Sequence, residues 1–344
     1  MISKPVTIKD VADKACVSYQ TVSKVINGKV QVSKETESRI WQAIEELGYR
    51  PSHTARSLRS KRTHTIGYSW PPTPQDQENP ILDQFLQSMF LAAERGGYYL
   101  LAFPHHSEYG NLLDAYSELI VTGRVDGFIL SSIDYDDPRI NFLLERKFPF
   151  VAFGRSNPDL KFPYIDVDGG EGLAMAIHHL LEQGHQRIAT LAWPETSRVG
   201  NNRLEGYFRA LASAGISISN EWIARGEGSF SFGYSATCHW LDLPAGDRPT
   251  AIVALCDIMA IGAMQAARDR GIRVGTDLAI TGFDNGPMAK YFTPPLTSLH
   301  QPVWEIGDRV INMLLTILEG KDPDPYCELL LPQLIIRESS IGWK

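Results

Sequence analysis

The sequence predicts a small all-α head of helix-turn-helix form, followed by a larger α/β body of two parallel-sheet lobes. Three observations carry this. The first fifty or so residues show apolar spacing of helical period only. Beyond about residue 62, short apolar runs alternate with amphipathic stretches, the pattern of strands joined by crossover helices. Charge divides at the same place. Residues 1–62 hold 12 Lys/Arg against 6 Asp/Glu, while the other 282 hold 21 against 34, within a chain of 344 residues and net charge −7.

In the head, Thr7 can cap a first helix, with Asp10 reaching back as in a capping box. Ile8, Val11, Ala12 and Ala15 form its apolar stripe. Ser18 can cap a second helix after a turn of about three residues, the length this motif uses. Val22, Val25 and Ile26 face inward on it. Tyr19, Gln20 and Lys24 face outward, with Thr21 and Ser23 placed to touch phosphates. Ser33 opens a third helix through Ile40, Ile44 and Leu47, ended by Gly48 and Pro51. A basic head on an acidic body fits a nucleic-acid reader whose body avoids non-specific phosphate contact. Gln20 can pair with adenine N6/N7, and Lys24 can donate to guanine O6/N7.

In the body, strands are expected over 65–70, 98–103, 127–131, 150–153, 187–193, 251–255 and 278–281. Helices are expected over 82–95, 173–183, 203–214 and 258–270. These are too many strands for one comfortable sheet, hence two lobes. The polar, Pro-rich stretch 71–80 follows a strand end and reads as a surface loop or a cleft rim. Asp134, Asp136 and Asp137 read as a solvated loop before a helix begun by Pro138.

Residues 4–62 closely resemble the headpiece of the lactose-repressor (LacI/GalR) family of bacterial transcription regulators, above all in Val17-Ser18-Tyr19-Gln20-Thr21-Val22-Ser23. Further markers run to the C-terminal region: Arg124-Val125-Asp126-Gly127, Gly184-His185-Gln186-Arg187-Ile188, Arg203-Leu204-Glu205-Gly206-Tyr207, Arg248-Pro249-Thr250-Ala251, Gly282-Phe283-Asp284 and Pro294-Pro295-Leu296-Thr297-Ser298. The resemblance implies a headpiece over 1–49, a hinge helix over 50–62 and a body over 63–344. That body would have the periplasmic-binding-protein-like fold, with three crossings between lobe one (63–163 and 296–323) and lobe two (164–293 and 324–344). It implies DNA contacts from Thr7, Ser18, Tyr19, Gln20, Thr21, Ser23, Lys24 and Asn27. Ala55 and Leu58 would enter the minor groove, Leu58 as a wedge that bends the duplex. The family usually has Arg where this chain has Lys24, which removes a planar fork.

The resemblance also places a small-molecule effector in the cleft between lobes, with Arg203 and Asp284 as contacts able to grip vicinal hydroxyls or a carboxylate. Phe230 stands where a stacking aromatic is common, and Arg155 and Asp168 are further candidates. Cys256 stands where the family usually has a ligand-contacting Asn, and Gly169 where Asn commonly follows the Asp. Both departures bear on which ligand is taken. Asp257 can cap the following helix without any ligand.

The implied function is a homodimeric, ligand-gated repressor that binds palindromic double-stranded DNA and responds to a saccharide. A purine co-repressor, a partner phosphocarrier protein and a sugar-binding transport protein are the alternatives. No terminal leucine heptads are seen, so no coiled coil joins dimers. The nine histidines form no HxxxH or HExxH pattern, no Walker loop or nucleophile elbow is present, and Gly226-Glu227-Gly228 lacks a third glycine. Neither an enzyme nor a cofactor or metal site is expected. The four scattered cysteines, the absence of a secretory pattern and the lack of a long apolar run fit a cytoplasmic protein with no membrane span.

Overall fold

A computed structural model describes residues 6–26, 30–50, 62–70, 79–104 and 112–343. The expectations for Asn27, Ala55, Leu58, the hinge helix and most of the 71–80 loop lie outside those residues. The chain divides into two compact units, Met1–His64 and Thr65–Lys344.

The first unit holds α1 (Ile8–Ala15), α2 (Tyr19–Ile26) and α3 (Lys34–Leu47). Their ends follow the capping residues. The Asp10 N–H donates to Thr7 Oγ1 at 3.4 Å, and the Thr7 N–H donates to Asp10 Oδ2 at 2.7 Å. Ser18 Oγ accepts from the Thr21 N–H at 3.1 Å, and Ser33 Oγ accepts from the Thr36 N–H at 3.3 Å. Gly48 ends α3 at φ +60°, where a Cβ would be strained. The three apolar stripes meet in one core of Val11, Ala12, Ala15, Val22, Val25, Ile40 and Ala43.

The second unit contains two six-stranded sheets. Sheet one is built from β1 (Thr65–Trp70), β2 (Tyr99–Pro104), β3 (Gly127–Leu130), β4 (Phe150–Phe153), β5 (Tyr164–Val167) and β11 (Cys327–Leu330), in the order β11-β5-β4-β3-β1-β2 and wholly parallel. Sheet two is built from β6 (Ile188–Ala192), β7 (Ile223–Arg225), β8 (Ala251–Ala254), β9 (Ala279–Asp284), β10 (Thr297–His300) and β12 (Gln333–Ile335), in the order β12-β10-β9-β8-β6-β7. Only the β10–β12 pairing is antiparallel.

Sheet one packs against α4 (Pro80–Arg95), α5 (Leu112–Val121), α6 (Pro138–Glu145) and α11 (Val303–Leu318). Sheet two packs against α7 (Gly169–Glu182), α8 (Arg198–Ser213), α9 (Phe230–Leu241) and α10 (Asp257–Asp269). In each sheet the chain reverses its direction of winding between neighbouring strands, at β1/β3 and at β6/β8. Those are the places where open α/β sheets take ligands.

The three crossings fall later than the resemblance implied. β5 belongs to sheet one, so the first crossing follows residue 167 and not 163. β10 belongs to sheet two, so the second follows residue 300 and not the segment 293–296. β11 extends lobe one to residue 330, beyond 323. The reason is polarity. β5 carries Asp166, β10 reads Thr-Ser-Leu-His, and β11 and β12 are half-exposed edges. None is the continuous apolar run that marks a buried parallel strand.

Beneath the end of sheet two, His185 is buried, with Nδ1 3.0 Å from Thr250 Oγ1. Burial, reinforced by the neighbouring His179, pushes its pKa from 6.5 down to about 4. The unfolded chain therefore takes up this proton first. The stabilisation is present above pH 6.5 and is lost as the pH falls through that window to about 4. His185→Gln is expected to flatten the fall in unfolding free energy across that window. Urea melts of both proteins at several pH values check it. Parallel curves would put the acid sensitivity elsewhere. Buried carboxylates act in the opposite sense but are common to both proteins.

Candidate functional site

In the head, α2 turns Val22 and Val25 into the core, and this fixes what it presents outward. Tyr19 is 52 % exposed, and Gln20 and Lys24 are exposed beside it. Thr21 and Ser23 are half-buried on the flanks. Ser18 and Thr21 already share a 2.8 Å bond between hydroxyls at the helix start. Thr7 is exposed at the start of α1. One exposed face thus carries the three side chains that were expected to read base edges.

In the body, a cavity of about 300 Å³ lies at the carboxyl ends of both sheets. Ser132 and Asp134 follow β3, Phe153 ends β4, Asp166 lies in β5, Trp193 follows β6, Asp284 ends β9 and Gln301 follows β10. The first two turns of α8 add Arg198, Asn202 and Arg203, and Asn79 caps α4 at the rim.

Arg203 and Asp284 converge there, although 81 positions separate them in the chain. Arg203 is 4 % exposed. Its guanidinium carbon stands 3.5 Å from the centre of the Phe283 ring and 5.0 Å from that of Trp193, and its Nη1 donates to the Leu255 carbonyl. Nη1 is 3.8 Å from Asp284 Oδ1, too far for a direct hydrogen bond. Arg203 Nε is buried without a partner among the described residues. Burial pulls the Arg203 pKa down, and Asp284 opposes it.

The Asp284 carboxyl is pushed up by burial, against the pull of Arg203 and a 2.6 Å hydrogen bond from Gln301 Nε2. Its backbone sits at φ +115°, a region L residues rarely adopt. The strain is held by the next residues. The Asn285 N–H donates to Ser298 Oγ at 2.9 Å, and the Gly286 N–H donates to Asp257 Oδ2 at 2.7 Å. Ser298 Oγ in turn donates to Asp257 Oδ1.

The other expected effector residues lie elsewhere. Asp168 caps α7 by accepting from the Glu171 N–H at 3.0 Å and does not line the cavity. Phe230 is 39 % exposed and stacks on Tyr234, with centroids 6.2 Å apart, so Trp193 and Phe153 supply the aromatic walls in its place. Cys256 is buried at the N-cap of α10, makes no capping bond and has its thiol pushed up to about 12 by burial. Asp257 does not cap α10 as expected; it is the helix's first residue and ties the 284–286 loop. Arg155 reaches the cavity only through others, donating to Asp166 Oδ2 at 2.7 Å and to Asn202 Oδ1 at 3.2 Å.

The acidic loop is also not simply solvated. Asp134 Oδ1 accepts from the Arg198 N–H at 2.9 Å, and Asp137 is 6 % exposed in an ion pair with Arg139. Sequence reasoning missed Asp166 and Arg198. Asp166 left one trace, a carboxylate inside an apolar stretch. Arg198 left none, because its importance depends on where the helix starts. Among the described residues no group of His, Cys, Asp and Glu is arranged to hold a metal.

A three-helix head of helix-turn-helix form with an exposed polar face on its second helix, joined in one chain to a two-lobed α/β body with a cavity at its strand ends, defines a DNA-binding regulator with a ligand-binding domain. Residues 7–52 match the family described as bacterial regulatory proteins, lacI family, and residues 177–340 match a periplasmic binding protein-like domain. The chain is 36% identical over 338 residues to the HTH-type transcriptional repressor PurR of Escherichia coli O139:H28, covering 97% of this chain and 96% of that one. A LacI-family regulatory protein from Chloroflexus aggregans shares 54% identity at a TM-score of 0.78, over 80% of this chain and 98% of that one. The lac repressor dimer bound to operator and the anti-inducer ONPF shares 27% identity at a TM-score of 0.84, over 98% of this chain and 100% of that one. The chain belongs to the lacI family of bacterial regulatory proteins. No helix among the described residues is long and apolar enough to cross a membrane.

Proposed function

We propose that this protein is a homodimeric repressor that reads a palindromic operator and is gated by a saccharide in the inter-lobe cavity. The observation that carries the ligand reading is the Arg203–Asp284 pair. An acceptor–donor gap of 3.8 Å, opening on a cavity walled by Trp193, fits a sugar hydroxyl that donates to the carboxylate and accepts from the guanidinium. A purine co-repressor remains the second reading, favoured by the flat faces of Trp193 and Phe153. The test is a thermal-shift screen of the full chain against glucose, cellobiose, guanine and hypoxanthine, because a ligand of the native state raises its apparent stability. A shift from the purines alone would overturn the saccharide reading.

Arg203→Ala is expected to weaken the effective ligand roughly 10- to 150-fold, the loss of about 1.5–3 kcal/mol from a charged donor in a closed site. Operator affinity without ligand should stay as in the wild type. An unchanged ligand concentration for half-response would remove Arg203 from the site.

On the DNA side, Tyr19, Gln20 and Lys24 are the proposed base readers, with Thr7, Ser18, Thr21 and Ser23 on phosphates. Lys24→Ala is expected to cost about 1–3 kcal/mol at the cognate site and to leave binding to random duplex nearly unchanged. Fluorescence anisotropy on both duplexes decides it. Equal losses would make Lys24 a phosphate contact.

A further inference from the structure

The cavity is lined by a second acid–guanidinium pair, Asp166 and Arg198. Their geometry repeats that of Arg203 and Asp284. Arg198 Nη1 stands 3.8 Å from Asp166 Oδ2, again too long for a hydrogen bond and wide enough for one bridging oxygen. The two pairs differ in where they are anchored. Arg203 and Asp284 both belong to lobe two, whereas Asp166 is on β5 of lobe one and Arg198 opens α8 of lobe two.

Around this second pair the lobes are already joined by polar contacts. The Arg198 N–H donates to Asp134 Oδ1 at 2.9 Å, and its Nε donates to the Ser156 carbonyl at 3.3 Å. Arg155 of lobe one donates to Asn202 of lobe two. One carboxylate, Asp166, serves two guanidiniums, and only Arg155 is at bonding distance. Burial and then the nearby Arg155 charge lower the pKa of Arg198. An added acceptor oxygen beside Arg198 therefore has an unfilled role.

We propose that Arg198 and Asp166 form a second ligand clamp that spans the lobes, so that one ligand hydroxyl placed between them both selects the ligand and holds the cleft closed. The proposal rests on the cavity being the effector site. Arg198 and Arg203 lie five residues apart on one helix, about 7.5 Å along its axis. A ligand that fills both clamps must carry hydroxyl groups at two ends, as a pyranose or a disaccharide does. A ligand with a single polar edge fills only one.

The test has two arms on the full chain. Without ligand, hydrogen exchange of Arg198→Ala is expected to quicken about tenfold or more in the first turn of α8 and around Ser156, whose carbonyl loses the Arg198 Nε bond, with α10 unchanged. Unaltered exchange there overturns the lobe-spanning contact. With glucose and cellobiose as probes, Arg198→Ala and Asp166→Asn are expected to bind the stabilising sugar about tenfold or more weakly. A deoxy analogue that loses affinity for the wild type should lose nothing further in Arg198→Ala. Partial rescue by Arg198→Lys would separate a lost contact from damaged folding. If a sugar binds the wild type and Arg198→Ala equally, the clamp is wrong and the saccharide reading stands. If neither sugar shifts the wild type, the saccharide reading fails and takes the two-ended requirement with it.

Discussion

Asp137→Ala is expected to destabilise the first lobe by about 3–5 kcal/mol, the usual result of leaving a buried charge without its partner. Arg139 is 1 % exposed. Its Nε donates to Asp137 Oδ1 at 2.9 Å, and its Nη2 donates to Asp137 Oδ2 and to the carbonyls of Ser131 and Ser132 at 3.0 and 3.2 Å. A guanidinium cannot escape by losing its proton. Burial pulls the Arg139 pKa down, but Asp137 outweighs it and leaves the pKa raised. The same Asp137 carboxylate caps α6 by accepting from the Arg139 N–H at 2.9 Å, so a cap worth about 1 kcal/mol is lost as well.

The effect should reach the cavity between the sheets. Arg139 holds the carbonyls of 131 and 132, and Ser132, at φ +52°, lines the cavity. Urea melts read the loss. The double variant Asp137→Leu with Arg139→Met is expected to recover most of it, because a well-packed apolar pair replaces a buried ionic one at little cost. A single-variant loss below about 1 kcal/mol would show that water reaches the guanidinium.

Gly206→Ala is the second large effect, and its sign is what makes it informative. In an ordinary helix interior this change stabilises by about 1 kcal/mol. Here a Cβ at 206 would stand 1.9 Å from the Gly170 carbonyl oxygen, on the helix packed against it. The backbone cannot yield as a side chain does, so α7 and α8 must part. A destabilisation of about 1–3 kcal/mol or more is expected. Gly169 lies one residue earlier on α7, where a Cβ would stand 2.8 Å from Arg203 Cγ. Parting the helices therefore shifts Arg203 as well, and weaker ligand binding should accompany the lower melting temperature. A variant as stable as the wild type would mean that the helices tolerate a wider crossing.

The head was legible almost residue by residue. Caps at Thr7, Ser18 and Ser33 and three apolar stripes are local signals, and local signals decide short helices. The α/β class of the body was legible for a similar reason, since strands such as Gly127–Leu130 and Ala251–Ala254 are uninterrupted apolar runs. The crossings were misplaced because β5 and β10 carry polar residues, Asp166 on the cavity and Thr297 and Ser298 in buried hydrogen bonds. Their membership of a sheet is settled by which strand they pair with, not by their own composition.

For the site, the resemblance pointed to Arg203 and Asp284, and the chain does bring them together. It also offered Asp168, Phe230 and, as a departure from the family's Asn, Cys256, which turn to a helix cap, the surface and the core. By itself the sequence determined the class of each unit, the exposed face of α2 and the chemistry available to the cavity. Only the tertiary structure decided which side chains share that cavity, because burial, ion pairing and the approach of α7 to α8 at Gly170 and Gly206 arise between segments distant in the chain. Arg198 is the clearest case. Nothing local distinguishes it from other arginines at helix starts, and its place opposite Asp166 exists only because two sheets end at one cleft.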